Sequence, residues 1–172
     1  MPGTRTQLSL YVPEPLATSL ESVRRTLDPV QSSLIPAHVT LCREDELAGL
    51  DPDALHLRLA RIPLPPLTLR FGRPEPFHEH GILLPCIAGQ NEFRTLREHV
   101  LGARSIRPHR PHITLAHPRN PKAPGNCPAN AGELADGMAI TFTRINVIEQ
   151  TGVAPWRVVA AFAFTAEGAD QG

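Results

Sequence analysis

Two short strings in this 172-residue chain carry side chains suited to acid–base chemistry: Ala37-His38-Val39-Thr40-Leu41 and Pro111-His112-Ile113-Thr114-Leu115. In a β-strand alternate side chains share a face and lie about 6 to 7 Å apart, so His38 and Thr40 project together while Val39 and Leu41 turn toward a core. His112 and Thr114 stand in the same relation to Ile113 and Leu115. Brought to one cleft, two imidazoles and two hydroxyls make a set for phosphoryl transfer. In-line displacement needs a base on the attacking oxygen and an acid on the leaving oxygen, and histidine serves either role near neutrality. The threonine hydroxyls can donate to the non-bridging phosphate oxygens, so the chemistry requires no metal ion and no cofactor. A His, Val or Ile, Thr, Leu string is expected by chance about 0.01 times in a chain of this composition, which makes two copies a specific signal.

The elements that must position these residues follow from hydrophobic periodicity. Thr6 to Val12 alternates as a strand, and Leu16, Leu20, Val23 and Leu27 mark an amphipathic helix over Glu14 to Leu27, closed by Asp28 and Pro29. Ala37 to Cys42 is a short strand. Asp45 to Ala60 has helical leucine spacing, with Pro52 in a position to split it. Leu67 to Phe71 and Gly81 to Ala88 are further strands, Pro85 suggesting an edge or bulge in the second. Phe93, Leu96, Val100 and Leu101 mark a third helix, followed by the Pro111 to Ala116 strand. A loop rich in Pro, Asn and Gly from Pro118 to about Gly132 is a candidate lid, and two final strands are expected over Ala139 to Ile148 and Trp156 to Phe164.

Self-comparison organises these pieces. The spacing from His38 to His112 is 74 positions, and that one shift also places Leu10 on Leu84, Leu27 on Leu101 and Arg70 on Arg144 without a gap. One strand, helix, strand, strand unit is therefore expected twice, giving a single domain over residues 1–172 made of two pseudo-symmetric lobes. The fold class that follows is α+β, with the twofold bringing both motifs to a central cleft.

On these residues the chain resembles the 2H phosphoesterase superfamily, in its LigT-like branch, whose members are described as 2′-5′ RNA ligases or RNA 2′,3′-cyclic phosphodiesterases. The opening TQLSLYVPEP resembles that branch's first strand and proline turn, and INVIEQTGVAPWRVVAAFAF resembles its last hairpin. The resemblance implies antiparallel sheets lining a cleft with helices outside, and metal-independent opening of a nucleotide or RNA-terminal cyclic phosphodiester to a 2′-phosphate. It implies His112 as the base that activates water and His38 as the acid, an order that the residues alone leave open. Ligation or 2′-5′ cleavage through the same groups, and a non-catalytic module that binds RNA ends, are the alternative readings.

Further residues are candidates for the substrate. Arg70 and Arg144 are placed by alternation opposite the apolar face of their strands, within reach of a phosphate. His109 crowds the approach to the second motif with Arg107 and Arg110, and Trp156 is the one Trp, suited to stacking a base. Composition sets bounds on the rest. Seventeen basic and seventeen acidic residues cancel, so no long basic stripe for tracking a nucleic-acid backbone is implied. No apolar run approaches the roughly 20 residues needed to span a bilayer, so no membrane partner is expected, and the N-terminus is unlike a secretory signal, which points to the cytoplasm. Cys42, Cys86 and Cys127 are widely spaced and odd in number, which suggests free thiols. The eight histidines form no set completed by a carboxylate or cysteine at a familiar metal spacing.

Overall fold

A computed structural model describes residues 2–78, 80–103, 106–119, 126–132 and 134–166. In chain order they form β1 (Thr4–Tyr11), α1 (Leu16–Leu27), α2 (Pro29–Leu34), β2 (His38–Cys42), α3 (Glu44–Leu47), α4 (Pro52–Ala60), β3 (Leu67–Phe71), β4 (Glu75–Phe77), β5 (Gly81–Ala88), α5 (Gln90–Leu101), β6 (His112–Ala116), β7 (Met138–Phe142), β8 (Arg144–Thr151) and β9 (Arg157–Ala163). The strands join one antiparallel sheet in the order β7-β3-β5-β6-β2-β1-β8-β9, with β4 paired to β5. The fold is α+β. Reading that order from either end meets corresponding strands: β7 answers β9, β3 answers β8, β5 answers β1 and β6 answers β2. The centre of the sheet is thus the pairing of the two motif strands, where Val39 lies opposite Ile113.

The 74-residue shift maps α1 onto α5 and β2 onto β6 with both bounds in register. It fails further out, because β8 begins at Arg144 whereas Arg70 is the penultimate residue of β3. The two arginines therefore occupy opposite ends of corresponding strands, and gapless counting had paired residues that the sheet does not.

Other departures have local causes. Asp28 does close α1, but its carboxylate also accepts the Gln31 N–H at 3.1 Å, and Pro29 supplies a preset φ at the first helical position, so a second short helix starts there at once. Pro52 splits the expected helix over 45–60 in the same way, with Asp51 capping the Ala54 N–H at 3.1 Å. The stretch expected as one strand over Ala139 to Ile148 is two strands broken at Thr143: β7 pairs with β3 and β8 with β1, so the chain crosses from one half of the sheet to the other. Of the expected loop over 118–132, residues 120–125 lie outside the described residues, and Pro128–Ala131 forms a 3-10 turn.

The core is one contiguous cluster. Val39, Leu41, Ile113 and Leu115 are buried in it against Leu20 and Leu27 of α1 and Phe93, Leu96 and Val100 of α5. Burying each such side chain contributes roughly 1.5 to 3 kcal/mol. The apolar alternates of each motif thus anchor the strand whose other face carries the chemistry. No helix among the described residues is long and apolar enough to cross a membrane.

Candidate active site

Strand alternation sets His38, Thr40, His112 and Thr114 on the side of the sheet opposite the core, and all four line a cleft of about 540 Å³. Because Val39 faces Ile113 in an antiparallel pair, His38 stands across from Thr114 and Thr40 across from His112. The two histidines are diagonal neighbours, which such a register holds about 7 to 8 Å apart, with their Cβ atoms somewhat closer.

Each imidazole is oriented by its own strand. His38 Nδ1 lies 2.8 Å from the Pro36 carbonyl, and His112 Nδ1 lies 2.9 Å from the Arg110 carbonyl. A carbonyl can only accept, so both Nδ1 atoms carry the proton, and in the neutral ring Nε2 is left as an unprotonated acceptor. In each motif a carbonyl two residues back, just ahead of the strand, fixes the same tautomer. Ring contacts hold the planes: Tyr11 lies edge-on to His38 at 6.3 Å, and Phe77 lies edge-on to His112 at 5.4 Å. Phe77 pairs with Gly81 of β5 so closely that a Cβ on Gly81 would fall 2.2 Å from the Phe77 carbonyl oxygen.

The electrostatics keep both rings neutral. Burial pushes His38 down to about 4; its Pro36 hydrogen bond and Glu21 act against this, while Arg24 and His112 add to it. Burial also lowers His112, assisted by Arg43 and Arg110 and opposed by the bond to Arg110's carbonyl. The cleft lining includes Arg5, Arg24, Arg43 and Arg119 and, among the described residues, no Asp or Glu. In a chain of zero net charge that concentration of cations marks an anion site. Among the described residues no group of three or more His, Cys, Asp and Glu is placed to hold a metal ion.

Of the other residues that sequence reasoning singled out, Trp156 lines the cleft, with its backbone N–H donating to the Leu34 carbonyl at 2.8 Å and the Arg5 guanidinium 5.2 Å from its ring. His109 does not line the cleft. It sits behind, Nε2 donating to the Thr40 carbonyl at 3.1 Å and its ring 6.1 Å from His112, so it supports both motifs. Burial pushes it too down to about 4, with Arg97 and Arg43 adding to the effect. Arg70 and Arg144, read from the sequence as within reach of a phosphate, are exposed and are not among the residues that line this cleft. Arg144 opens β8, whereas Gln150, six residues further along the same strand, does line the cleft, so position along the strand and not face alone decides which residues reach it.

Arg24 was missed. The signal was legible, since Arg24 is four residues after Leu20 and three before Leu27, squarely on the apolar stripe of its helix, where a cation needs a reason. Arg97 occupies the like place in α5, four residues after Phe93.

The comparisons with known proteins bear on the family and the fold. A family model described as the 2′-5′ RNA ligase superfamily matches residues 12–154. The chain belongs to that superfamily, as a LigT-like 2H phosphoesterase. The structure of E. coli LigT complexed with NADP+ is similar over 96% of this chain and 100% of its own, with TM-score 0.63 at 19% identity. That of E. coli LigT complexed with 3′-AMP covers 95% and 99%, with TM-score 0.61 at 17% identity. The structure of a phosphoesterase is similar over 95% of this chain and 100% of its own, with TM-score 0.58 at 15% identity. At such identities the likeness is one of fold. No curated protein sequence matches the chain.

Proposed function

We propose that the chain is a metal-independent phosphodiesterase that opens 2′,3′-cyclic phosphates of nucleotides or RNA ends to 2′-phosphates in the cytoplasm. The observation that carries this reading is the matched pair of Nδ1 anchors, which leaves one Nε2 on each motif strand available beside one cleft. One imidazole, neutral, takes the proton of a water attacking phosphorus through its Nε2. The other, protonated, gives its Nε2 proton to the departing ribose 3′ oxygen as that P–O bond breaks. Thr40 and Thr114 donate to the non-bridging oxygens as charge gathers there. Trp156 stacks the base, and the cleft's arginines draw the anion in. The whole chain acts as one domain whose two sheet halves each contribute a histidine and a threonine.

The binding of 3′-AMP and NADP+ by LigT supports a nucleotide as the ligand class. The test is to incubate purified protein, with excess EDTA, against a panel of 2′,3′-cyclic nucleotides and 2′-5′ dinucleotides and to identify the products. Release of 2′-phosphates undiminished by chelation is expected. Loss of activity in EDTA with rescue by a divalent ion, or no turnover of any member of the panel, sinks the reading.

A further inference from the structure

The two buried arginines of α1 and α5 hold the opposite motif strands, but they are bonded differently. Arg97, 1% exposed, donates through Nη1 to the Leu41 carbonyl and through Nη2 to Glu46 Oε1 at 2.6 Å and to the Arg107 carbonyl at 3.0 Å. Both ends of its fork are spent on protein, and it does not line the cleft.

Arg24, 2% exposed, donates Nε to the Thr114 carbonyl at 3.3 Å and Nη1 to Glu21 Oε1 at 2.7 Å. Its Nη2 finds no partner among the described residues, and the residue lines the same cleft as the two motifs. Glu21 fixes the guanidinium from the other side, since the same Oε1 accepts the N–H of Ala37, the residue before His38, at 2.5 Å, and Oε2 accepts from Ser32 Oγ at 3.2 Å. With Nε and Nη1 spent on protein, Nη2 is the donor left over, and an anion in the cleft would complete the fork. Its orientation is already set by the Thr114 carbonyl of one motif strand and by Glu21, itself tied to the residue before the other, so contact with such an anion needs little further ordering.

We propose that Arg24 is a substrate-contacting catalytic residue, its Nη2 donating to a non-bridging oxygen of the phosphate held between His38 and His112. This rests on the paired-histidine reading of the cleft. It adds a charged donor, fixed by Glu21, to the two neutral threonine hydroxyls. A charged hydrogen bond is about twice as strong as a neutral one, and its effect grows as the phosphorane-like state concentrates charge on those oxygens.

The test separates this contact from mere packing and from the reaction itself. Inorganic phosphate and a nucleoside 2′-monophosphate are titrated into the folded protein at neutral pH, with the fluorescence of Trp156, the one Trp and a cleft residue, as the signal. Arg24→Met should raise the phosphate Kd at least about 10-fold and Arg24→Lys by less, with both variants folded by circular dichroism. Glu21→Gln, which frees the guanidinium, should give an intermediate loss. Variants that melt at lower temperature but bind phosphate as the parent does would overturn the proposal, as would a parent that binds no phosphate. Should Arg24→Met not fold, an unchanged Kd in Arg24→Lys overturns it alone. A parent that binds phosphate through Arg24 yet cleaves no phosphodiester would refute the paired-histidine reading and leave the contact standing.

Discussion

Val39 and Ile113 face each other at the centre of the sheet, and that single pairing crosses each motif's histidine with the other motif's threonine. The four side chains are therefore brought together at one cleft. His38→Ala and His112→Ala should each slow the chemical step at least about 100-fold, since general acid or base catalysis supplies 10²- to 10⁴-fold. Thr40→Ala and Thr114→Ala should cost less, because each removes one donor and leaves proton transfer in place. The double histidine variant should be little worse than either single one, as groups that work together are non-additive. Single-turnover rates on a cyclic nucleotide decide it, and near-normal turnover in either histidine variant refutes the pairing.

The rim and the outer strands should separate cleanly in binding. Trp156→Ala should weaken nucleotide binding by about 1 to 3 kcal/mol, the worth of a stacked base, without a matching fall in kcat. Arg70→Ala and Arg144→Ala should leave kcat/KM within about twofold of the parent, because both side chains are exposed away from the cleft. Steady-state kinetics on the same substrate tests all three. A loss above tenfold from either arginine would return them to the site.

What was legible in the sequence follows from which contacts are local. The motif strands were read with the correct face, since period-2 alternation is a property of consecutive residues and Val39 and Ile113 are fully buried as it requires. The twofold was legible because α1 and α5, like β2 and β6, differ by one constant shift. It misled at Arg70 and Arg144, where the outer strands slide and only sheet register shows it. The break at Thr143 was hidden because both flanking segments are good strand formers and only their different partners divide them. Arg24 and Arg97 were visible as cations on apolar stripes, but the carbonyls they serve lie 90 and 56 residues away in sequence. The Nδ1 anchors are local, two residues back, yet no composition or spacing rule announces them.

Acid should destabilise the fold through the same histidines. His38 and His109 are held down to about 4, and His112 and His117 are also lowered, in each case chiefly by burial. Between the folded values and the ordinary value of 6.5 the unfolded chain binds more protons than the folded one, so stability rises with pH there. The contribution is fully present above 6.5 and is lost as pH falls toward 4. The melting temperature should therefore drop through that window, and His109→Gln, which removes one such group, should flatten the drop. A melting temperature constant from pH 6.5 to 4 would contradict the burial of these rings.

The pH dependence of turnover tests the electrostatics of the pair most directly. The mechanism proposed above needs one imidazole neutral and one protonated, so kcat/KM should be bell-shaped, with limbs that belong to the pair rather than to named residues. In the free protein both rings are lowered from 6.5, His38 to about 4, by burial, with cleft arginines adding to the effect. The singly protonated pair is then most populated below 6.5, and the kcat/KM maximum should fall on the acid side of that value. A bound phosphodiester anion favours the charged imidazole and so raises both values. The kcat profile, which reports the complex, should accordingly be displaced to higher pH than the kcat/KM profile. His38, the more strongly lowered of the two, is the ring whose protonation as the acid depends most on that anion. If the two profiles coincided, or if kcat/KM rose steadily from pH 5 to 8, the substrate would not be charging the pair, and the assignment of His38 as the acid would be withdrawn.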